Sequence, residues 1–144
     1  IQLGATLEEV IKILGEPDEK SVDGDIVRLE FLPIEGIPLI VWVNSTNNKV
    51  ETIRLEILGI GEYMNEDIQN AVKEYKMDEC TAVVLGQTRK FIEERFGKPS
   101  YAGKEETTDV IDYYNDDSSI QVTLKFWQEQ DYKCTQINLN WYYD

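Results

Sequence analysis

A fifteen-residue stretch occurs twice in this chain, and its recurrence limits what the chain can fold into. The first copy is Leu3-Gly4-Ala5-Thr6-Leu7-Glu8-Glu9-Val10-Ile11-Lys12-Ile13-Leu14-Gly15-Glu16-Pro17. The second runs from Leu85-Gly86-Gln87-Thr88 through Ile92 and Phe96 to Gly97-Lys98-Pro99, in constant register, so that Leu3 corresponds to Leu85 and Pro17 to Pro99. Leu, Gly, Thr, Gly and Pro coincide at 5 of 15 positions, and Val10/Ile92 and Leu14/Phe96 are conservative pairs. About one identity is expected by chance at ordinary residue frequencies. The chain therefore reads as an internal duplication.

Each copy carries the start and stop signals of a short amphipathic helix. Thr6 suits the N-cap, and Glu9 completes a capping box. Leu7, Val10, Ile11 and Leu14 form one apolar stripe. Gly15 fits a left-handed residue past the helix end, and Pro17 stops its continuation. In the second copy Thr88 still caps, Phe91 replaces the Glu of the box, and the stripe narrows to Phe91, Ile92 and Phe96. Helices this short are marginal alone and must lie on something.

Both copies lead into segments that read as strands. In the first half these are Ile26 to Phe31, Leu39 to Val43 and Val50 to Ile57, the middle one continuously apolar and hence central. In the second half they are Val110 to Tyr114, Ile120 to Phe126 and Thr135 to Tyr142. In the register of the two helices, Leu29 and Phe31 map to Ile111 and Tyr113, and Trp42 to Leu124. Ile53 and Leu55 map to Ile137 and Leu139 two positions further on, which places a two-residue insertion between Trp127 and Cys134. Between the halves, Ile68, Ala71, Val72 and Tyr75 have helical spacing, so a helix is expected from about Asn65 to Lys76. The expected fold is α+β: two tandem modules, residues 1–60 and 61–144, each with one or two helices packed on an antiparallel three- to four-stranded sheet.

The net charge of −14 argues against nucleic acid as a partner, because such a field repels phosphate backbones. It suits a protein partner with a basic surface, although acidity also serves solubility alone. No apolar run approaches the roughly 18 residues that a spanning helix needs, so no membrane span is expected. The sequence begins with Ile, which leaves room for a removed leader or a lipid anchor upstream of Ile1. Cys80 and Cys134 allow one disulfide or two reduced thiols. The chain has no histidine, so the usual base for a Ser or Cys nucleophile and the imidazole metal ligands are missing. Asp23/Asp25 and Asp116/Asp117 read as solvated turns rather than calcium loops. No cofactor, metal or catalytic residue is expected.

The Leu-Gly-x-Thr … Val … Leu-Gly-x-Pro helix followed by antiparallel strands resembles the SmpA/OmlA–BamE module. Two such modules in tandem resemble the β-lactamase inhibitor protein and its relatives. That resemblance implies small bacterial proteins, often exported or lipid-anchored, that bind other proteins on a concave surface made by two sheets. It also implies a disulfide within each repeat, from which this chain departs: both cysteines follow the first repeat's strands. Inhibition of a β-lactamase is not carried over.

Strand alternation indicates a site. The helix-packed face of the second half should hold Ile111, Tyr113, Val122, Leu124, Phe126, Ile137, Leu139 and Trp141. The opposite face then shows Asp112, Tyr114, Gln121, Thr123, Lys125, Trp127, Gln136, Asn138, Asn140 and Tyr142, aromatics among amides and hydroxyls. That mixture suits a protein-binding surface, with Tyr114, Trp127 and Tyr142 as anchors. A solvated sheet face with scattered aromatics is the competing reading. The matching face of the first half shows Arg28, Glu30, Val41, Thr52, Arg54 and Glu56. The expected function is a non-enzymatic module that captures or inhibits a partner protein, in one variant an immunity protein neutralising a cationic toxin. The alternatives are an envelope lipoprotein or assembly factor of the SmpA type and, least favoured, a carboxylate-dependent hydrolase. An envelope or secreted location goes with a removed leader, a cytoplasmic one with an immunity protein.

Overall fold

In the computed structural model, which describes residues 1–32, 36–57, 70, 84–128 and 133–142, each copied stretch forms a helix where its caps place it. These are α1, Leu7–Leu14, and α2, Arg89–Phe96. Thr6 Oγ1 accepts from the Glu9 N–H at 3.2 Å, and the Glu9 carboxylate accepts from the Thr6 N–H at 2.8 Å, closing the capping box. Thr88 Oγ1 accepts from the Phe91 N–H, and no reciprocal bond exists because the Phe91 side chain has no acceptor. Gly15 (φ 84°, ψ −169°) and Gly97 (φ 88°, ψ −174°) end the helices in an extended, positive-φ conformation rather than the left-handed helical one, a region essentially reserved for glycine. Val10 and Ile92 are fully buried, whereas Phe91 and Phe96, expected on the inner stripe, are exposed.

The strands are β1 (Glu19–Asp23), β2 (Ile26–Phe31), β3 (Leu39–Asn44), β4 (Lys49–Glu56), β5 (Tyr101–Glu105), β6 (Thr108–Tyr114), β7 (Ile120–Trp127) and β8 (Lys133–Trp141). They form one eight-stranded antiparallel sheet in the order β1-β2-β3-β4-β8-β7-β6-β5. The expectation of two tandem modules, each with its own sheet, is therefore corrected. β4 pairs directly with β8, from Thr52 opposite Asn140 to Glu56 opposite Gln136. The physical reason is that each half ends on a strand with an open edge. Joining the two edges satisfies both rows of backbone donors and acceptors. It also lets one core run through the sheet: Leu29, Val41, Ile53 and Leu55 belong to the same buried cluster as Ile111, Leu124, Phe126 and Ile137.

The register refines the duplication. Leu29, Val41 and Ile53 lie side by side, as do Ile111, Leu124 and Ile137. The separation between counterparts thus grows by one residue at each successive strand. The extra residues fall one in each connection, not two in the last hairpin. Both halves carry the same bulge, after Trp42 and after Lys125. Two sequence assignments on β3 are overturned by this register. Val41 faces the core, fully buried, and Trp42 faces outward opposite Arg28 and Thr52. The counterpart of Trp42 is Lys125, not Leu124. β1 and β5, absent from the sequence reading, are edge strands with every residue of β1 exposed. The linking helix expected over residues 65–76 lies outside the described residues, apart from Asn70.

The Leu-Gly-x-Thr signature itself docks each helix on the last strand of its half. The Gly4 N–H donates to Val50 O at 2.9 Å and the Val50 N–H to Ala5 O at 2.8 Å; Gly86, Cys134 and Gln87 repeat this pair, both at 2.8 Å. Gly4 holds φ +81°, and a Cβ there would sit 3.2 Å from the Trp141 ring. The repeated motif is structural, and the candidate surface lies elsewhere.

Candidate protein-binding face

Alternation in β2, β4, β6 and β7 sends the apolar residues to the helix side and the polar ones to the other. Cross-strand pairing then lines the polar ones up in rows. One row runs Arg28, Trp42, Thr52, Asn140, Gln121, Tyr114 across six strands. The next runs Glu30, Ile40, Arg54, Asn138, Thr123, Asp112, Tyr101. A third runs Glu56, Gln136, Lys125, Val110, Gly103. At about 4.8 Å between strands, the first row spans roughly 24 Å.

These rows contain nine of the ten residues proposed from the sequence or hold them by hydrogen bonds. Tyr142, just past β8, donates through its hydroxyl to Gln121 Oε1 at 2.7 Å. Gln121 Nε2 donates to the Tyr114 hydroxyl at 3.0 Å, and Asn140 Nδ2 to Gln121 Oε1 at 3.3 Å. Trp127 is the exception. It is half-buried, pairs with Thr108 and Lys133, and lies six residues along β7 from Gln121, about 20 Å away. It therefore does not join the Tyr114–Tyr142 cluster as an anchor.

The centre of the face differs from an open surface. Asp112, Thr123, Gln136 and Asn138 are all buried, at 6–9% exposure. Buried polar groups need partners, and these have them: Thr123 Oγ1 donates to Asp112 Oδ1 at 2.6 Å, and Asn138 Oδ1 accepts from Gln136 Nε2 at 3.2 Å and Arg54 Nε at 2.8 Å. Exposure rises at the margin, to 42% for Tyr114, 57% for Tyr142 and 56% for Tyr101. Tyr101 lies along its own strand over Gly103, where any Cβ would overlap the phenol.

Within the three rows the charge is balanced, Arg28, Arg54 and Lys125 against Glu30, Glu56 and Asp112, unlike the chain as a whole. Arg28 pairs with Glu30 at 2.9 Å and Lys125 with Glu105 at 3.3 Å. Burial pushes the Glu56 carboxyl above the usual carboxylate range, against the opposing pull of Arg54 and Lys125.

Sequence reasoning missed Trp42 and Tyr101. No signal along β3 marks Trp42, because its run is continuously apolar and only the pairing with Arg28 and Thr52 turns it outward. For Tyr101 the signal was Tyr-x-Gly, the spacing by which an aromatic covers a strand glycine.

Elsewhere, Asp117 Oδ1 accepts from the Ser119 N–H at 2.9 Å, as in a turn. Among the described residues no group of three or more His, Cys, Asp or Glu is placed to hold a metal ion, and no helix is long and apolar enough to cross a membrane. Cys134 carries a free, buried thiol, and Cys80 lies outside the described residues.

No protein-family model matches the chain, and no curated protein does. Among solved structures, the fold is similar to that of YjgB, a DUF4309 family protein from Bacillus subtilis strain 168, with a TM-score of 0.58 and 18% identity over 95% of this chain and 78% of that one. It is also similar to an extracellular protein containing an SCP domain from Bacillus anthracis strain Ames, with a TM-score of 0.51 and 9% identity over 96% of this chain and 43% of the other. At these identities the likeness shows the fold alone.

Proposed function

We propose that this chain is a non-enzymatic binding module that captures another protein across the outward face of its sheet. The observation that carries the reading is the set of exposed tyrosines, Tyr101, Tyr114 and Tyr142, standing around a hydrogen-bonded centre of amides and hydroxyls. Tyrosines held at low entropic cost beside adaptable polar groups are the composition of binding surfaces. The resemblance of the helix signature to the SmpA/OmlA–BamE and β-lactamase inhibitor families supports the same class. The net charge of −14 supports a partner with a basic surface, drawn in at long range, as for a cationic toxin met by an immunity protein. Because the three rows are themselves balanced, contact there depends on aromatics and amides, and charge acts mainly on the association rate.

The test compares wild type with a Tyr114→Ala/Tyr142→Ala variant as immobilised baits in extracts and culture medium of the source organism. A protein held by wild type should bind the variant about thirtyfold more weakly, the loss of about 2 kcal/mol expected of hot-spot tyrosines. Its association rate should fall as salt rises. Equal retention by a folded variant would overturn the assignment of the face.

A further inference from the structure

We propose that Arg28, Trp42 and Arg54 form the anchoring subsite for a carboxylate, an Asp or Glu side chain presented by the captured protein. The inference rests on the binding reading above and adds the chemistry of one contact.

Trp42 stands on the outward face between cations from both neighbouring strands. The guanidinium carbon of Arg54 lies 5.0 Å from the ring centroid and that of Arg28 lies 5.9 Å away. A guanidinium within about 6 Å of an indole centroid is attracted by the ring and still has N–H groups with which to donate. The two arginines differ in what already compensates them. Arg28 is neutralised by Glu30. Arg54 gives Nε to the neutral amide oxygen of Asn138, and its two terminal nitrogens have no hydrogen-bond partner among the described residues. The nearest acid on its own strand, Glu56, feels the Arg54 charge but makes no hydrogen bond with it among the described residues. Arg54 is thus a held guanidinium with its fork unoccupied, and a carboxylate accepts such a fork in two parallel bonds. Alternation read along β3 alone turns Trp42 into the core and leaves this half of the face an ordinary surface; the strand pairing brings the three residues together. A partner with a basic surface still offers individual acidic side chains, so long-range attraction and this local contact are compatible.

The probe is a blocked tripeptide, acetyl-Ala-Glu-Ala-amide, with acetyl-Ala-Gln-Ala-amide as its neutral match. Each is titrated into the full 15N-labelled chain at physiological salt. The Trp42 indole N–H and Arg54 Nε–H resonances should shift saturably with the Glu peptide, at least fivefold more steeply than with the Gln peptide. Arg54→Gln should lower the Glu response at Trp42 at least fivefold, and Arg54→Lys, which keeps the charge but loses the fork, should fall between. A retained amide spectrum in either variant shows that the fold survives. Equal responses to the two peptides, or an undiminished response in Arg54→Gln, would overturn the subsite and leave the cation–ring contact a purely structural clasp. Neither result depends on the tyrosine experiment, so the two readings fail separately.

Discussion

Arg54 of β4 and Asn138 of β8 stand directly opposite each other where the two halves of the sheet meet, and the Arg54 Nε–H donates to Asn138 Oδ1 at 2.8 Å. The bond joins residues from opposite halves of the chain, and it clasps the junction that turns two repeats into one sheet. A half-buried hydrogen bond to a charged donor contributes measurably where a surface ion pair would not. In urea unfolding, a double-mutant cycle of Arg54→Ala and Asn138→Ala should give a coupling energy of about 1 kcal/mol. Strict additivity would show that the clasp forms without stabilising the junction.

Gly4 meets Trp141 across the same junction. Gly4→Ala must place a Cβ 3.2 Å from the indole at a φ of +81°. Backbone strain and displacement of the ring together should cost about 2 kcal/mol. Gly24 has φ +56° and open space around it, so Gly24→Ala should cost about half as much. Equal losses in thermal melts would remove the packing component.

The pH dependence of Glu56 has a definite sign. Its carboxyl is raised in the folded chain, chiefly by burial, so the native state holds the proton more tightly than the unfolded state. Stability from this group is fully present below the ordinary carboxylate pKa and is lost as pH rises through the raised value. Glu56→Gln should therefore gain stability relative to wild type at pH 7 and show less or no gain near pH 4. A larger gain at pH 4 than at pH 7 in denaturant titrations would contradict this sign.

Burial pushes the Cys134 thiol up to about 12, and the thiol donates weakly to the Gln136 carbonyl at 3.6 Å. The thiolate is the reactive form. In a Cys80→Ser background the remaining thiol should resist alkylation at pH 8 in the native state and react in full on unfolding. Rapid native-state labelling would mean that β8 opens locally at its bulge.

The local signals are legible in the sequence because they act within a few residues. Thr6, Glu9, Gly15 and Pro17 satisfy or block neighbouring backbone groups, so α1 can be placed from sequence alone. Alternation also sorts β6 to β8 correctly: Ile111, Leu124, Phe126 and Ile137 are in the core, and Asp112, Thr123 and Asn138 face away. Three things were decided only by tertiary structure. The run Leu39-Ile40-Val41-Trp42-Val43 has no alternation, because Ile40 on the outer face is as buried as the core positions. Only pairing with β2 and β4 decides which side chains point in, and that pairing turned Trp42 outward to meet Arg28 and Arg54. β1 and β5 exist because β2 and β6 offer them an edge; their own side chains are mostly exposed and carry no pattern. The single sheet depends on an edge-to-edge match between β4 and β8, one closing each half of the chain, which no window along the sequence contains. Capping and alternation are properties of a segment, whereas register and face are properties of a pair.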